Sequence, residues 1–144
     1  MVRILIFILL LAIIYIDIKK LYIPNFLNLL LLMLGIYYKG TDLITIENSI
    51  IGMGVYTVPI IILYGYLSDL LKKEVFGFGD IKLLLALGYI LGYTNLYDIY
   101  IYYMIAFSLG AIMGIILGIL KKDFRGESPF SPFLILGFLF LWVR

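Results

Sequence analysis

Long apolar runs, separated by short charged segments, dominate this sequence and limit what it can fold into. Apolar and aromatic residues make up 65% of the 144 residues, charged residues only 14%, and the mean hydropathy is +1.15. A soluble domain is roughly 45–50% apolar and about 25% charged. One domain of this size has no interior large enough for the excess, so we expect apolar surface to face lipid.

The runs predict an all-α integral membrane protein, a bundle of six transmembrane helices in a single domain of residues 1–144. A helix that crosses a bilayer needs roughly 20 residues, so six helices with short loops use most of the chain. The alternating pattern of a membrane β-barrel is missing. The predicted helices cover, approximately, residues 2–16, 25–38, 49–67, 81–93, 97–120 and 130–143.

Basic residues predict how the bundle is oriented. Loops one, three and five carry most of them: Lys19, Lys20, Lys72, Lys73, Lys82, Lys121, Lys122 and Arg125, against Arg3, Lys39 and Arg144 on the other side. By the positive-inside rule, these loops are cytoplasmic and both termini lie outside. A signal peptide at residues 1–16 is the less favoured interpretation, because no small-residue cleavage site follows. A net charge of +2 is too small for a nucleic-acid partner.

The chain contains neither cysteine nor histidine, and this excludes several kinds of chemistry. Thiolate nucleophiles, disulfides, zinc ribbons, imidazole bases and imidazole metal ligands are all ruled out. An enzyme of this composition has carboxylates, tyrosines or lysines as its acid–base groups. We expect no metal and no cofactor.

Two aspartates stand at the margins of apolar runs. Asp17 ends the first run and Asp80 opens the fourth, so both are predicted at the cytoplasmic side, where an ionisable group suggests function. Two carboxyls in close contact share one proton, and such a pair can hydrolyse a peptide bond without a metal. The alternative is that each aspartate only caps a helix or pairs with Lys19 or Lys82. Spacing alone does not decide between the two interpretations.

Three motifs carry a resemblance to a known family. Residues 17–25, DIKKLYIPN, resemble the Asp-x-Lys/Arg…Ile-Pro-Asn segment of type IV prepilin peptidases, and residues 77–83, GFGDIKL, match the GxGD motif of these membrane aspartic peptidases. Residues 128–134, SPFSPFL, are similar to their late Pro-Phe-Gly-Pro-Phe-Leu segment, with Ser131 at the position of the usual glycine. The three motifs follow the family's order, and archaeal preflagellin peptidases resemble the chain in the same way.

The resemblance implies a six-helix peptidase that removes the N-terminal leader of prepilin-like or archaellin-like precursors at the cytoplasmic membrane face. Its catalytic residues map onto Asp17 and Asp80. The remaining motif residues are expected to support the site: Lys19, Ile23, Pro24, Asn25, Gly77, Gly79, Lys82, Pro129, Phe130, Pro132 and Phe133. Larger bacterial members carry CxxC pairs and also methylate the new N-terminus. The short first loop and the absence of cysteine favour a peptidase without methyltransferase activity.

Two other functions compete with this one. A presenilin-like intramembrane protease shares GxGD, but such enzymes are generally longer and carry a Tyr-Asp pair, whereas Ile16 separates Tyr15 from Asp17. A transporter or scaffold subunit with the aspartates on an ion path leaves the Ile23-Pro24-Asn25 segment unexplained.

The ends of the predicted helices suggest which aspartate holds the shared proton. Asp17 lies at a helix C-terminus and Asp80 at a helix N-terminus, so the helix dipoles predict a protonated Asp17 and an ionised Asp80. Gly79, directly before Asp80, is expected to allow either a positive φ or the close approach of another segment.

Overall fold

The computed structural model describes residues 1–72, 77–121 and 129–144, and all regular structure within them is helical. The predicted all-α class is therefore confirmed. Six helices occur in this described part: α1 Val2–Lys20, α2 Asn25–Lys39, α3 Leu43–Leu71, α4 Phe78–Leu91, α5 Leu96–Lys121 and α6 Ser131–Val143.

Local signals set where the helices begin and end. α3 begins before the predicted start at residue 49, because the Asp42 carboxylate caps it by accepting a hydrogen bond from the Thr45 backbone N–H at 3.4 Å. α4 ends at Leu91, and its C-cap Gly92 has a φ of +72°, a positive value that glycine adopts without strain. α1 continues past residue 16 to Lys20, so Asp17 lies inside a helix.

α4 is the central helix and packs against α2, α3 and α6. It is apolar around most of its circumference, as expected for a helix enclosed by others. Large side chains from every helix meet around it and are almost completely buried: Ile6, Leu10, Ile13, Leu31, Tyr56, Ile60, Leu83, Leu84, Leu87, Ile90, Tyr102 and Phe138. The packing fixes the position of α4, and with it the position of Asp80 in its first turn.

Two glycines bring the backbones of α3 and α4 into direct contact. A Cβ atom added to Gly88 would lie 2.8 Å from the Gly52 carbonyl oxygen, and one added to Gly52 would lie 2.6 Å from the Gly88 carbonyl oxygen. Small residues allow helices to approach this closely. Gly52 and Gly88 therefore allow close packing at the α3–α4 crossing.

Tyrosine hydroxyls connect α5 to its neighbours. The Tyr102 hydroxyl donates a hydrogen bond to the Leu134 carbonyl on α6 at 3.1 Å, and the Tyr103 hydroxyl donates one to the Tyr56 carbonyl on α3. In the absence of competing water, such bonds satisfy both the phenol and a backbone carbonyl. They hold α5 and α6 together at the side of the core.

Two described helices, Leu43–Leu70 and Leu96–Leu120, are long and apolar enough to cross a bilayer. Only 22% and 11% of their most apolar windows are buried, which distinguishes them from the core helices of a soluble protein. Exposed apolar side chains cover much of α5: Tyr100, Met104, Leu109, Ile112, Met113, Ile115, Ile116, Ile119 and Leu120. This surface fits contact with lipid, while the bundle of six spans stays a prediction.

The contact between Gly52 and Gly88 predicts a stability difference between two matched glycine substitutions. Gly88→Ala should lower the free energy of unfolding by about 2 kcal/mol, because overpacking forces backbones apart. Gly54→Ala is the control, since a Cβ there has no neighbour within 4 Å and gains helix propensity. Thermal unfolding of the purified protein in detergent measures both. Equal stability of the two variants would contradict the close contact.

Candidate active site

Asp17 is buried in α1 and receives two hydrogen bonds from α6. The residue is 5% exposed, and its Oδ2 atom accepts from the Ser131 hydroxyl at 2.6 Å and from the Ser131 backbone N–H at 3.3 Å. Ser131 is the first residue of α6, so this N–H has no partner within its own helix. The carboxyl of Asp17 therefore lies at the N-terminus of α6, where the helix dipole favours negative charge.

Asp80 is the third residue of α4 and folds back onto the start of that helix. Its backbone N–H donates to the Gly77 carbonyl at 3.0 Å, while the Gly77 backbone N–H hydrogen-bonds its carboxyl. This is the carboxyl half of a capping box, with Gly77 as the N-cap. Among the described residues, the buried Oδ1 atom of Asp80 has no hydrogen-bond partner.

The charge of Asp17 acts on the buried carboxyl of Asp80. Burial and, as the second cause, the charge of Asp17 raise the pKa of Asp80 to about 7, whereas the hydrogen bond from Gly77 lowers it. Asp80 thus retains a proton at a pH where an isolated carboxyl is ionised. The raised pKa of Asp80 runs against the expectation of an ionised Asp80, because the helix dipoles were considered without the burial of that carboxyl.

The segment before α2 holds the start of α4 in place. Asn25 accepts a hydrogen bond from the Lys82 ammonium at 2.8 Å, and a Cβ added to Gly79 would lie 3.1 Å from the Ile23 Cβ atom. Gly79 is not among the described glycines with positive φ, so the close approach of Ile23, rather than backbone conformation, explains why a glycine occupies this position. Pro24, at the N-cap of α2 with φ −60°, sets the direction of this segment.

Asn28 belongs to the same contact, although the sequence analysis did not single it out. Its side-chain amide donates to the Gly79 carbonyl at 3.2 Å, and the residue is 5% exposed. The available signal was its position three residues after Asn25, which places both amides on one face of α2. Together they attach α2 to the turn that carries Asp80.

The late motif determines where α6 begins. Phe130 is the N-cap residue and Pro132 lies in the first turn, where proline is well accommodated. The Phe130 ring packs 6.2 Å from that of Phe133 and lies over Gly110, whose added Cβ would be 2.9 Å from it. Pro129 is partly exposed just before the N-cap. The segment thereby places Ser131 against Asp17.

The lysines of the motifs do not neutralise the aspartates in the contacts observed. Lys82 donates to Asn25, and Lys19 is exposed with its ammonium bonded to the Tyr15 hydroxyl and 4.5 Å from the centre of that ring. Lys19 and Lys82 therefore have other partners, and the contacts do not support the alternative in which each aspartate pairs with a neighbouring lysine. Across the described ranges, no group of three or more acidic side chains could hold a metal ion.

A helical protein with a buried carboxyl pair at one end of its bundle is the class that this fold and site define. The family model of the type IV leader peptidase family matches residues 4–119, and the chain therefore belongs to that family. The predicted resemblance is confirmed.

Curated relatives agree with the family match. The chain is 32% identical over 134 residues to a prepilin leader peptidase/N-methyltransferase of Pectobacterium carotovorum subsp. carotovorum, covering 91% of this chain and 47% of the relative. It is 32% identical over 130 residues to a protein of the same name from Aeromonas hydrophila, covering 89% of this chain and 44% of the relative. The chain thus spans about half the length of these relatives. No solved structure gives a significant match.

The proximity of the carboxyls predicts that Asp17→Asn changes the titration of Asp80. Removing the charge of Asp17 should move the titration of Asp80 to lower pH by about one unit, since like-charge repulsion disappears. Infrared spectroscopy follows the carboxyl band that is missing in Asp80→Asn. Asp42→Asn, at the opposite end of the bundle and still able to cap α3, is the control. An unchanged band in Asp17→Asn would show that the two groups are not coupled.

Proposed function

We propose that this protein is an aspartic endopeptidase that removes the N-terminal leader from prepilin-like precursors, with Asp17 and Asp80 as its catalytic residues. The observation that carries the proposal is the buried carboxyl pair, in which the charge of Asp17 acts on Asp80. The names of the relatives supply the substrate class, the leader of a prepilin. Both aspartates lie within the span matched to the family, residues 4–119.

The two carboxyls have different environments and are assigned different roles. Asp17, with two donors from Ser131, is the ionised base that takes a proton from water as the water oxygen attacks the scissile carbonyl carbon. Asp80, protonated, gives its proton to the carbonyl oxygen, which yields a neutral gem-diol. The carbon–nitrogen bond then breaks, Asp17 passes its proton to the leaving amine, and one diol hydroxyl returns a proton to Asp80.

The membrane arrangement follows from charge and exposed apolar surface. Six spans place the starts of α2, α4 and α6 on the same side of the bilayer, together with most of the lysines and arginines, and this side is cytoplasmic by the positive-inside rule. Both termini then lie outside. A substrate whose apolar helix is in the membrane and whose basic leader is in the cytoplasm meets the carboxyl pair at that margin.

Peptidase activity without N-methylation is the second part of the proposal. The chain has no cysteine, so the CxxC pairs associated with the methylating members are missing from it. α1 and α2 are separated only by residues 21–24, which leaves no room there for an additional folded segment. A precursor processed by this protein should therefore carry an unmodified N-terminal amine, detectable by mass spectrometry.

Asp17→Asn and Asp80→Asn should each reduce leader removal by at least about 10³-fold, because an amide retains the shape of the carboxyl but cannot transfer the required proton. Co-expression with a prepilin, scored by the size of the pilin band, measures this. Both variants should accumulate in the membrane like the parent protein, and Asp42→Asn should process normally. Full processing by either aspartate variant would exclude a two-carboxyl mechanism and leave an ion path as the better explanation.

Gly79→Ala should lower leader removal more strongly than Gly77→Ala. A Cβ at Gly79 lies 3.1 Å from Ile23, whereas the nearest atom to a Cβ at Gly77 is the Asp80 carboxyl oxygen at 3.6 Å, an ordinary contact. Moving the start of α4 by a few tenths of an ångström misplaces Asp80, and small misplacements reduce catalysis by up to about 10²-fold. The same co-expression assay compares the two. Equal activities would mean that Ile23 adjusts without moving Asp80.

A further inference from the structure

Ser131 makes the shortest contact to either carboxyl among the hydrogen bonds described. It is 0% exposed, and its hydroxyl lies 2.6 Å from Asp17 Oδ2, which is in the range of a hydrogen bond to an ionised acceptor. The backbone N–H of the same residue donates to the same oxygen at 3.3 Å. A hydroxyl buried at this position has no solvent to bond, so its proton is directed at Asp17.

The charged groups on the helices around Asp17 do not donate hydrogen bonds to its carboxyl in the contacts described. On the packed elements in the described residues, Asp80 of α4 faces it and opposes its ionisation. Lys39 of α2 bonds to the Leu91 carbonyl at the far end of the bundle, and Arg144, following α6, bonds to Asp98 there. On α1 itself, Lys19 is bonded to Tyr15 and Lys20 is exposed. In these contacts, the donors to Asp17 come from Ser131.

We propose that Ser131 is a positioning residue that holds Asp17 in its ionised form and orients its carboxyl for catalysis. Because both donors engage Oδ2, the other oxygen of Asp17 is left as the atom that takes the proton from water. The assignment deepens the proposed peptidase mechanism and rests on it. Ser131 itself transfers no proton to the substrate and forms no bond with it.

Loss of the hydroxyl has a consequence that depends on pH. Activity rises with pH as Asp17 ionises, so a variant without the hydroxyl needs a higher pH to reach the same activity. We expect Ser131→Ala to move the rising side of the pH–activity profile upward by about one unit, which corresponds to about 1.4 kcal/mol. At the acidic end, activity should therefore fall about tenfold relative to the parent, and the difference should shrink as the pH increases.

The test uses the purified full chain in detergent, with a prepilin precursor as substrate, and records kcat/KM from about pH 3 to 8. Ser131→Ala is compared with Ser131→Cys, which fills the same volume but donates only weakly. Both should show the upward shift, whereas Ser131→Thr, which retains a hydroxyl, should lie closer to the parent. Equal thermal stability of the parent and the Ala variant confirms that folding is not the cause.

Two results would overturn the assignment. An unchanged profile in Ser131→Ala shows that the hydroxyl does not control Asp17, and an activity loss of equal size at every pH shows a purely structural role. Failure of the proposed function is distinguishable, because it appears as normal activity in Asp17→Asn or Asp80→Asn measured in the same assay. If those variants are inactive while Ser131→Ala has the parental profile, only the role of Ser131 is rejected.

Discussion

Two buried carboxyl groups whose charges repel each other are unfavourable, and the helices around them are arranged to offset that repulsion. The N-termini of α4 and α6 both lie at the pair, so their unpaired backbone N–H groups and positive dipole ends converge where negative charge is held. The distribution is unequal, since Asp17 accepts two hydrogen bonds from α6 whereas Asp80 has one oxygen without a hydrogen-bond partner among the described residues. The two carboxyls therefore have different hydrogen-bonding environments.

Contacts with neighbouring helices at both ends of α4 fix the position of Asp80. The backbone contact with α3 at Gly52 and Gly88 fixes the helix near its C-terminal end. At the N-terminal end, Asn28 and the pair formed by Asn25 and Lys82 fix it against α2. A helix held at both ends by contacts that tolerate little movement keeps its first turn, and therefore Asp80, at a constant distance from α1.

The apolar runs and the motifs together were sufficient to predict the class of fold and which residues meet, but not how they meet. Asp17 and Asp80 are recognisable because they interrupt or precede runs that are otherwise without charge. In the sequence, Ser131 is notable only because it replaces the usual glycine of a motif. Its hydrogen bond to Asp17 joins distant parts of the chain, and no periodicity in either segment predicts such a contact. The expectation of an ionised Asp80 came from helix dipoles, which can be inferred from the sequence, whereas the burial that raises the pKa of Asp80 cannot. The role of Asn28, by contrast, could have been predicted, because its spacing from Asn25 places both side chains on one face of a helix.

The contact between Asp17 and Ser131 joins residues 114 positions apart, and this separation has a consequence for the timing of synthesis. At roughly 5–20 residues per second, on the order of 10 s pass between the translation of Asp17 and that of its partner. During this interval the carboxyl of Asp17 lacks the two hydrogen-bond donors that Ser131 provides. The buried environment of this carboxyl is therefore completed only when α6, the last described helix, docks against α1.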